Sequence, residues 1–177
     1  MTTSASSIDR ARLAMRIVAF GLGIFFIAMS LNKIEWLSHP EVLSQRFTRW
    51  LPNASAYAAP YLRHVAIPGA PILARLVAIG ELLTGLSLLT GVLTQFAAPA
   101  ALLMILNFHL ATSAFSAPDF LRDGTGPPMI AALLALAVAG PLPLSLLDLV
   151  KGRRGKTRTF AGANVLGTSA VTSRSGR

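Results

Sequence analysis

The sequence predicts an all-α integral membrane protein, a four-helix bundle whose helices run alternately up and down. Of its 177 residues, 53% are hydrophobic and only 13% are charged, whereas a soluble domain of this size needs more charge to cover its surface. The mean hydropathy is +0.60. The apolar residues are gathered into four long blocks, which indicates that lipid is the solvent for most of the chain.

The basic residues lie mainly at the two ends of the chain, which carries a net charge of +9. Three of the 16 Lys and Arg residues fall within the first 16 positions, and seven follow position 150. Basic segments that flank apolar spans stay on the cytoplasmic side during insertion. Both termini are therefore predicted to be cytoplasmic. We expect these Lys and Arg residues to interact with the lipid bilayer and not with nucleic acid.

The N-terminal part contains a tail and the first span. Residues 1–12 begin Ser- and Thr-rich and end basic, and they are predicted to form a disordered basic tail. Residues 13–37 are long enough, at about 1.5 Å per residue, to cross a hydrocarbon core of ~30 Å. A cleaved signal peptide ending at Ala28-Met29-Ser30 is the competing interpretation. The three later apolar blocks favour a retained span.

The stretch 38–70 differs from the blocks around it, because four prolines punctuate it. Within it, "EVLSQRFTRWL" places Val42, Phe47, Trp50 and Leu51 near one another on a helical wheel. This pattern predicts a short amphipathic helix at the membrane interface, with Trp50 at headgroup level. A loop helix packed over the bundle is the alternative.

The second and third spans, about 71–93 and 96–115, are separated by only two residues. Such a short connection requires an antiparallel helical hairpin. The second span also carries small residues at three- and four-residue spacing, which predicts a close helix–helix contact. These residues are Gly80, Thr84, Ser87 and Gly91.

The last span, about 128–150, follows a polar loop at 116–126. Pro141 and Pro143 lie inside it, so a kink or break is predicted near Gly140. Residues 151–177 are rich in Gly, Ser, Thr and Arg and are predicted to be a disordered basic cytoplasmic tail. Residues 13–150 thus form one membrane domain with four spans.

Ionisable and amide side chains within the spans fall at similar depth. Lys33 lies near the outer end of the first span, and Arg75 and Glu81 lie in the outer half of the second, Glu81 about 15 Å from its end. Asn107 and His109 lie about 10–13 Å below the outer end of the third. A charge deep in hydrocarbon costs at least ~2.5–3.5 kcal/mol, so such groups pair or line a wet cavity. The sequence predicts a polar pocket that opens outward.

Glu81 is the deepest of these groups, and Arg75, Lys33 and His109 are its candidate partners. Glu81 is either half of a structural ion pair or a protonatable, ligand-binding carboxyl; the sequence leaves both open. Lys33 and Arg75 can instead extend to the headgroups, and His109 can be a neutral interior histidine bonded to a helix carbonyl. Asn107 can join helices by a hydrogen bond.

The composition excludes several kinds of site. The chain has no cysteine, so it has no thiol for disulfide exchange, for thiolate ligation of haem or for an iron–sulfur cluster. Only His109 of the three histidines falls in a span, while His39 and His64 lie in the outer loop. We therefore predict no metal site. No phosphate-binding loop or nucleophilic-serine motif is present.

Three segments resemble the DoxX family, small four-span bacterial membrane proteins related to the DoxD subunit of thiosulfate:quinone oxidoreductase. They are "GLGIFFIAMSLNKI", "ARLVAIGELLTGLSLLTGVLTQFAAPAALL" and "NFHLATSAF", and the resemblance covers about residues 13–150. Ser30 stands where the family often has glycine before its lysine.

The resemblance implies a multi-pass protein of the bacterial cytoplasmic (inner) membrane, associated with redox enzymes and with quinone. Lys33, Glu81 and His109 are the positions to which it directs attention. The first hypothesis is a subunit that binds a quinone headgroup and works with a partner redox enzyme. The alternative is a non-catalytic membrane anchor or assembly factor for a partner enzyme. A permeation path ranks last, because the inner half of the spans has almost no polar residues. The oligomeric state is not defined by the sequence.

Overall fold

The structure, a computed structural model, describes residues 3–116, 118–122, 124–143 and 145. All regular structure in these ranges is helical, which confirms the all-α prediction. The tail predicted for residues 151–177 lies outside the described residues, as do residues 144 and 146–150 of the predicted fourth span.

Within the described ranges, six α-helices follow one another and are joined by shorter helical turns. The α-helices are α1 (Thr3–Leu31), α2 (Glu41–Trp50), α3 (Ala58–Tyr61), α4 (Ile67–Thr90), α5 (Thr94–Ala111) and α6 (Pro127–Ala139). The turns are 3₁₀ at Ile34–Leu37, Leu51–Asn53, Ala114–Ser116 and Pro118–Leu121, and π at Leu62–Ala66.

Three helical segments of the described chain are long and apolar enough to cross a membrane. They are Arg10–Leu31, Ala58–Thr90 and Thr94–Ala111. They correspond to the first three predicted spans. α6 has 13 residues, about 20 Å, which is shorter than a hydrocarbon core of ~30 Å.

The first helix differs from the prediction at both ends. α1 begins at Thr3, so it includes most of the segment 1–12 that the sequence predicts to be a disordered tail. No Gly or Pro precedes Gly21, so nothing in this stretch interrupts a helix. α1 ends at Leu31 and not near residue 37, and the chain then turns into the 3₁₀ segment Ile34–Leu37. This turn carries Trp36, which is buried, toward α4.

The second span is also longer than predicted, because α3, the π turn and α4 form one continuous helix, Ala58–Thr90. Its 33 residues reach about 50 Å. Pro71 lies inside α4 and not at its first position. The π turn at Leu62–Ala66 lies just before Pro68, where the ladder of backbone hydrogen bonds loses a donor.

The break predicted near Gly140 is confirmed. α6 ends at Ala139, and Gly140 adopts a positive φ of 69°, a conformation that glycine reaches without steric cost. The described residues that follow, 141–143 and 145, are not helical.

The short amphipathic helix predicted between the first two spans is present as α2, and it packs on the protein. Its buried residues, Leu43 and Phe47, join Trp36 from the preceding turn in one apolar cluster. The end of the π turn and the first turns of α4 meet this cluster with alanines that recur every four residues and are all completely buried: Ala66, Ala70 and Ala74. Small side chains let α2 approach α4 closely.

The long helices contact one another in sequence: α1 packs on α4, α4 on α5, α5 on α6, and α1 also on α6. Arg16 of α1 fixes the far end of α4, because its guanidinium donates to the carbonyls of Leu88 and Leu89 at 2.7 and 2.6 Å. These carbonyls belong to the last turn of the helix, which lacks partners within the helix itself. Gly91 ends α4 in the left-handed conformation.

Two glycines set the distance between α1 and α4. A Cβ on Gly23 would lie 2.8 Å from Leu89 N and 2.9 Å from Gly85 O. A Cβ on Gly85 would lie 2.8 Å from Ile27 N and 2.9 Å from Gly23 O. Backbone atoms cannot move aside as a side chain does, so the two helices touch only because both residues are glycine. Gly85 is not part of the predicted small-residue stripe.

We expect Gly23→Ala to lower the midpoint of thermal unfolding in detergent, because the added methyl group must separate α1 from α4. Overpacking of this kind costs about 1–3 kcal/mol. Gly21→Ala is the matched control: no atom lies within 4 Å of its Cβ position, and it should stabilise the helix by up to about 1 kcal/mol. Equal midpoints for the two variants would contradict the contact.

Candidate functional site

A buried ion pair joins the end of α1 to the middle of α4. The Nζ atom of Lys33 lies 2.7 Å from both carboxylate oxygens of Glu81. Only 6% of Lys33 and 7% of Glu81 is exposed. The ammonium also lies 3.4 Å from the carbonyl oxygen of Met29. Of the three candidate partners of Glu81, the structure therefore places Lys33 against the carboxylate.

Local structure explains how Lys33 reaches α4. α1 stops two residues before Lys33, so the lysine lies in the turn that leads to the next 3₁₀ segment. One turn earlier, the hydroxyl of Ser30 donates to the carbonyl of Ala78 at 2.9 Å. This hydrogen bond and the Gly23–Gly85 contact fix α1 against α4 in register. The ammonium is thereby held opposite the carboxylate.

His109 approaches the same region from α5 and is 4% exposed. Its Nδ1 atom lies 2.8 Å from the carbonyl oxygen of Ile105. Since a carbonyl only accepts, Nδ1 carries the hydrogen and donates it to Ile105. The hydrogen bond to a helix carbonyl agrees with the interpretation of His109 as an interior histidine. In addition, the His109 ring lines a cavity.

One cavity brings Lys33, Glu81 and His109 together. Its volume is about 130 Å³. Ten residues line it: Phe25, Met29, Lys33, Val77, Glu81, Met104, Ile105, Phe108, His109 and Thr125. A water needs about 10–15 Å³ when volume is measured in this way, and a cavity of about 150 Å³ binds benzene. At about 130 Å³ the cavity is slightly smaller than that, so it has room for a few waters, and a six-membered ring enters it only when the walls move outward slightly.

Aromatic side chains cover the His109 side of the cavity. The His109 ring centroid lies 5.7 Å from that of Phe115 and 5.2 Å from that of Phe120, and these two lie 5.4 Å apart. Phe115 and Phe120 belong to the connection between α5 and α6. This connection also contributes Thr125 to the lining. The loop between α5 and α6 thus forms part of the wall.

Trp36 links the ion pair to α2. The Nζ atom of Lys33 lies 5.8 Å from the Trp36 ring centroid, and the Cζ atom of Arg46 in α2 lies 5.2 Å from it. Both distances fall within the range of cation–π attraction. The indole therefore lies beside two cations, one paired with Glu81 and one on α2.

Arg75 and Asn107, the other polar residues that the sequence places at this depth, lie elsewhere. Arg75 is exposed and donates to the carbonyl of Pro71 in its own helix at 3.2 Å. Asn107 accepts a hydrogen bond from the hydroxyl of Tyr61, which joins α5 to the helix before α4. The structure thus brings together Lys33, Glu81 and His109 but places Arg75 outside the cavity.

Comparison with known families gives a match that includes most of α1 and all of α2 to α5. The sequence model of the DoxX family matches residues 11–117, which is more than half of the chain. The protein belongs to the DoxX family. Its three long apolar helices make it a multi-pass membrane protein. No curated protein and no solved structure gave a significant match.

The DoxX match includes the three ionisable residues of the cavity, Lys33, Glu81 and His109, but not Thr125. Sequence reasoning did not identify the apolar part of the lining, such as Phe25, Met29 and Met104, since these residues resemble any others in a spanning helix. The structure contains no group of three or more potential metal ligands among its described residues.

We expect Lys33→Ala to destabilise this DoxX protein strongly, because it leaves Glu81 buried without its cation. Breaking a buried pair in this way costs about 3–5 kcal/mol. The double variant Lys33→Met/Glu81→Leu removes both charges and should recover most of the loss, since an apolar pair of similar volume has no charge to desolvate. Thermal unfolding in detergent measures both. A double variant as unstable as Lys33→Ala would contradict the explanation.

Proposed function

We propose that this DoxX protein is a quinone-linked membrane subunit of a partner redox enzyme, in the bacterial cytoplasmic membrane. The proposal places four spans in an up-and-down bundle, with α6 and the apolar residues after Gly140 as the fourth. Both termini then face the cytoplasm. The distribution of basic residues supports this orientation, since ten of the 16 Lys and Arg residues lie in the first 16 positions or after position 150.

The observation that carries the proposal is the meeting of Lys33, Glu81 and His109 at one small cavity. Each comes from a different helix or turn, and each is at least nine-tenths buried. A structural ion pair needs no third ionisable group and no empty volume beside it. A quinone headgroup is a single ring with a carbonyl at each end. A cavity close to the size of one ring, with donors at its wall, suits that chemistry when the flexible side chains of Met29 and Met104 in its lining move aside.

The roles of the three residues follow from their hydrogen-bonding capacity. Lys33 has three N–H donors: two contact Glu81 at 2.7 Å and the third makes a long contact of 3.4 Å with the carbonyl of Met29. A quinone carbonyl would replace that long contact and accept from the third donor. His109 in its protonated form donates from Nε2. Glu81 accepts a proton from outside the cavity and passes it on through Lys33.

Reduction of the quinone requires a partner enzyme that supplies the electrons. Conversion of a quinone to a quinol consumes two electrons and two protons, and the protein supplies the path for the protons. The chain has no cysteine, so its own thiols cannot carry the electrons. They come from a redox cofactor of the partner enzyme, and the quinone accepts them directly.

One observation favours the alternative of a non-catalytic anchor. The Lys33–Glu81 pair lies in the same α1–α4 interface as the Ser30–Ala78 hydrogen bond and the Gly23–Gly85 contact. A pair in that position also holds two helices together, which is what an anchor for a partner enzyme requires.

Quinone binding separates the two functions. The chain has two tryptophans: Trp36 is 5.8 Å from the Lys33 ammonium, and Trp50 is 5.8 Å from Phe108, which lines the cavity. A bound quinone should quench their fluorescence in lipid nanodiscs. We expect Glu81→Gln and His109→Ala each to weaken binding of decylubiquinone at least about tenfold, the effect of about 1.4 kcal/mol.

Arg75→Gln is the matched control for this titration, because Arg75 is charged, lies on α4 and is outside the cavity lining. It should bind decylubiquinone like the parent protein. If Glu81→Gln and His109→Ala also bind like the parent protein while remaining folded, the quinone site is wrong and the anchor function is favoured.

The proposed topology has a separate test. Because the natural chain has no cysteine, single cysteines at Ser4, Gly124 and Gly155 can be labelled with a membrane-impermeant maleimide. We expect labelling of the Gly124 variant in intact spheroplasts, and labelling of the other two only after the membrane is opened. Labelling of Ser4→Cys from outside would reverse the orientation.

A further inference from the structure

A second cavity lies on the lipid-facing side of the α4–α5 hairpin. It is an open groove of about 460 Å³. Its floor contains Thr84 and Ala97, which are 4% and 8% exposed, and its rims contain Leu83 and Phe96, which are 61% and 64% exposed. Small residues form the floor and large apolar residues form the rims. The result is a trough along the two helices.

The groove meets the polar cavity at Met104, which lines both. On the opposite side of the junction, Gly80 lines the groove and its neighbour Glu81 lines the polar cavity. The Met104 sulfur would lie only 3.0 Å from a Cβ on Gly80, so the methionine occupies the space that the glycine leaves. Met is unbranched and turns about three bonds, so it can move aside at low cost.

We propose that this groove holds the apolar tail of the quinone whose headgroup enters the polar cavity, and that Met104 is the movable partition between them. The inference rests on the proposed function and adds to it a substrate class: a single-ring quinone with a long unbranched or isoprenoid tail. Once the headgroup occupies the polar cavity, no room remains there for the tail, because this cavity is close to the size of one ring.

The groove runs from Met104 toward the turn between α4 and α5. Leu93 and Phe96 lie at that end, so its length is about eight residues of helix, or ~12 Å. The tail then lies parallel to the helices and leaves the groove among the lipid tails. Because lipid is as apolar as the groove, the groove contributes a path and a fitted surface, not a hydrophobic driving force.

A second copy of the chain fits the groove less well. Close packing of two spanning helices needs a flat face of small residues, whereas Leu83, Leu93 and Phe96 all project from this one with more than half of their surface exposed. A flexible chain can lie between these side chains, but a helix cannot.

The test compares a tail-less and a tailed quinone on the same variants. Ala100 is exposed in the groove, so Ala100→Phe fills the trough from the lipid side without disturbing the core. Duroquinone has no tail, and decylubiquinone has one. We expect Ala100→Phe to raise the Kd of decylubiquinone about tenfold, the effect of forcing bulk into a fitted site, and to leave that of duroquinone unchanged within about twofold.

Ala135→Phe is the matched control, since Ala135 is an exposed alanine of α6 and lines neither cavity. It should change neither Kd. Taking each Kd relative to the parent protein cancels the different partitioning of the two quinones into lipid.

The outcomes distinguish the inference from the function on which it rests. If Glu81→Gln weakens both quinones but Ala100→Phe affects them equally or not at all, the groove does not hold the tail. If neither quinone responds to Glu81→Gln, the quinone site is wrong and the tail assignment falls with it. A lower oligomeric state of Ala100→Phe in native mass spectrometry, with both Kd values unchanged, would assign the groove to a second copy of the chain.

Discussion

A charged group inside an apolar bundle must have a partner, and the pairing of Lys33 with Glu81 constrains much of this structure. The carboxylate is fixed in the middle of α4, so the ammonium has to come to it. α1 therefore ends before Lys33 and the chain turns inward. The same turn buries Trp36, on which α2 then packs. The position of α2 over the bundle thus depends on the Lys33–Glu81 ion pair, which is made by the turn that precedes α2 in the sequence.

Helix positions could be predicted well from the sequence, and helix partners could not. The spans, the α4–α5 hairpin and the break at Gly140 are local features, set by hydropathy, connection length and proline. The partner of Glu81 is 48 residues away along the chain. Hydropathy gives the depth of Lys33, Arg75 and His109 but not the rotation of each helix about its axis. Arg75 lies at a similar depth but is outside the cavity lining. The rotation of each helix about its axis therefore determines which residues form the site.

The start of the second span was predicted least well, because proline is a weaker signal for the end of a helix in a membrane than in water. Pro60 and Pro68 indicate a loop by soluble rules, and Pro71 indicates the first turn of a helix, yet one continuous helix includes all three. In a bilayer, an interrupted backbone leaves polar groups unsatisfied in hydrocarbon, so the chain stays helical and adjusts through the π turn at Leu62–Ala66. The extra turns of helix also carry Tyr61 to Asn107.

The cavity gives a reason for the ion pair that packing alone does not. Replacing a buried pair by apolar residues of similar volume is often neutral or stabilising, so helix association by itself does not require Lys33 and Glu81. Their neighbours Gly23 and Gly85 already hold α1 against α4 through close backbone contact. A lysine, a carboxylate and a histidine around about 130 Å³ of space are instead suited to a ligand that needs donors and protons. In the function we propose, the charges serve binding, and the glycines supply the contact between the helices.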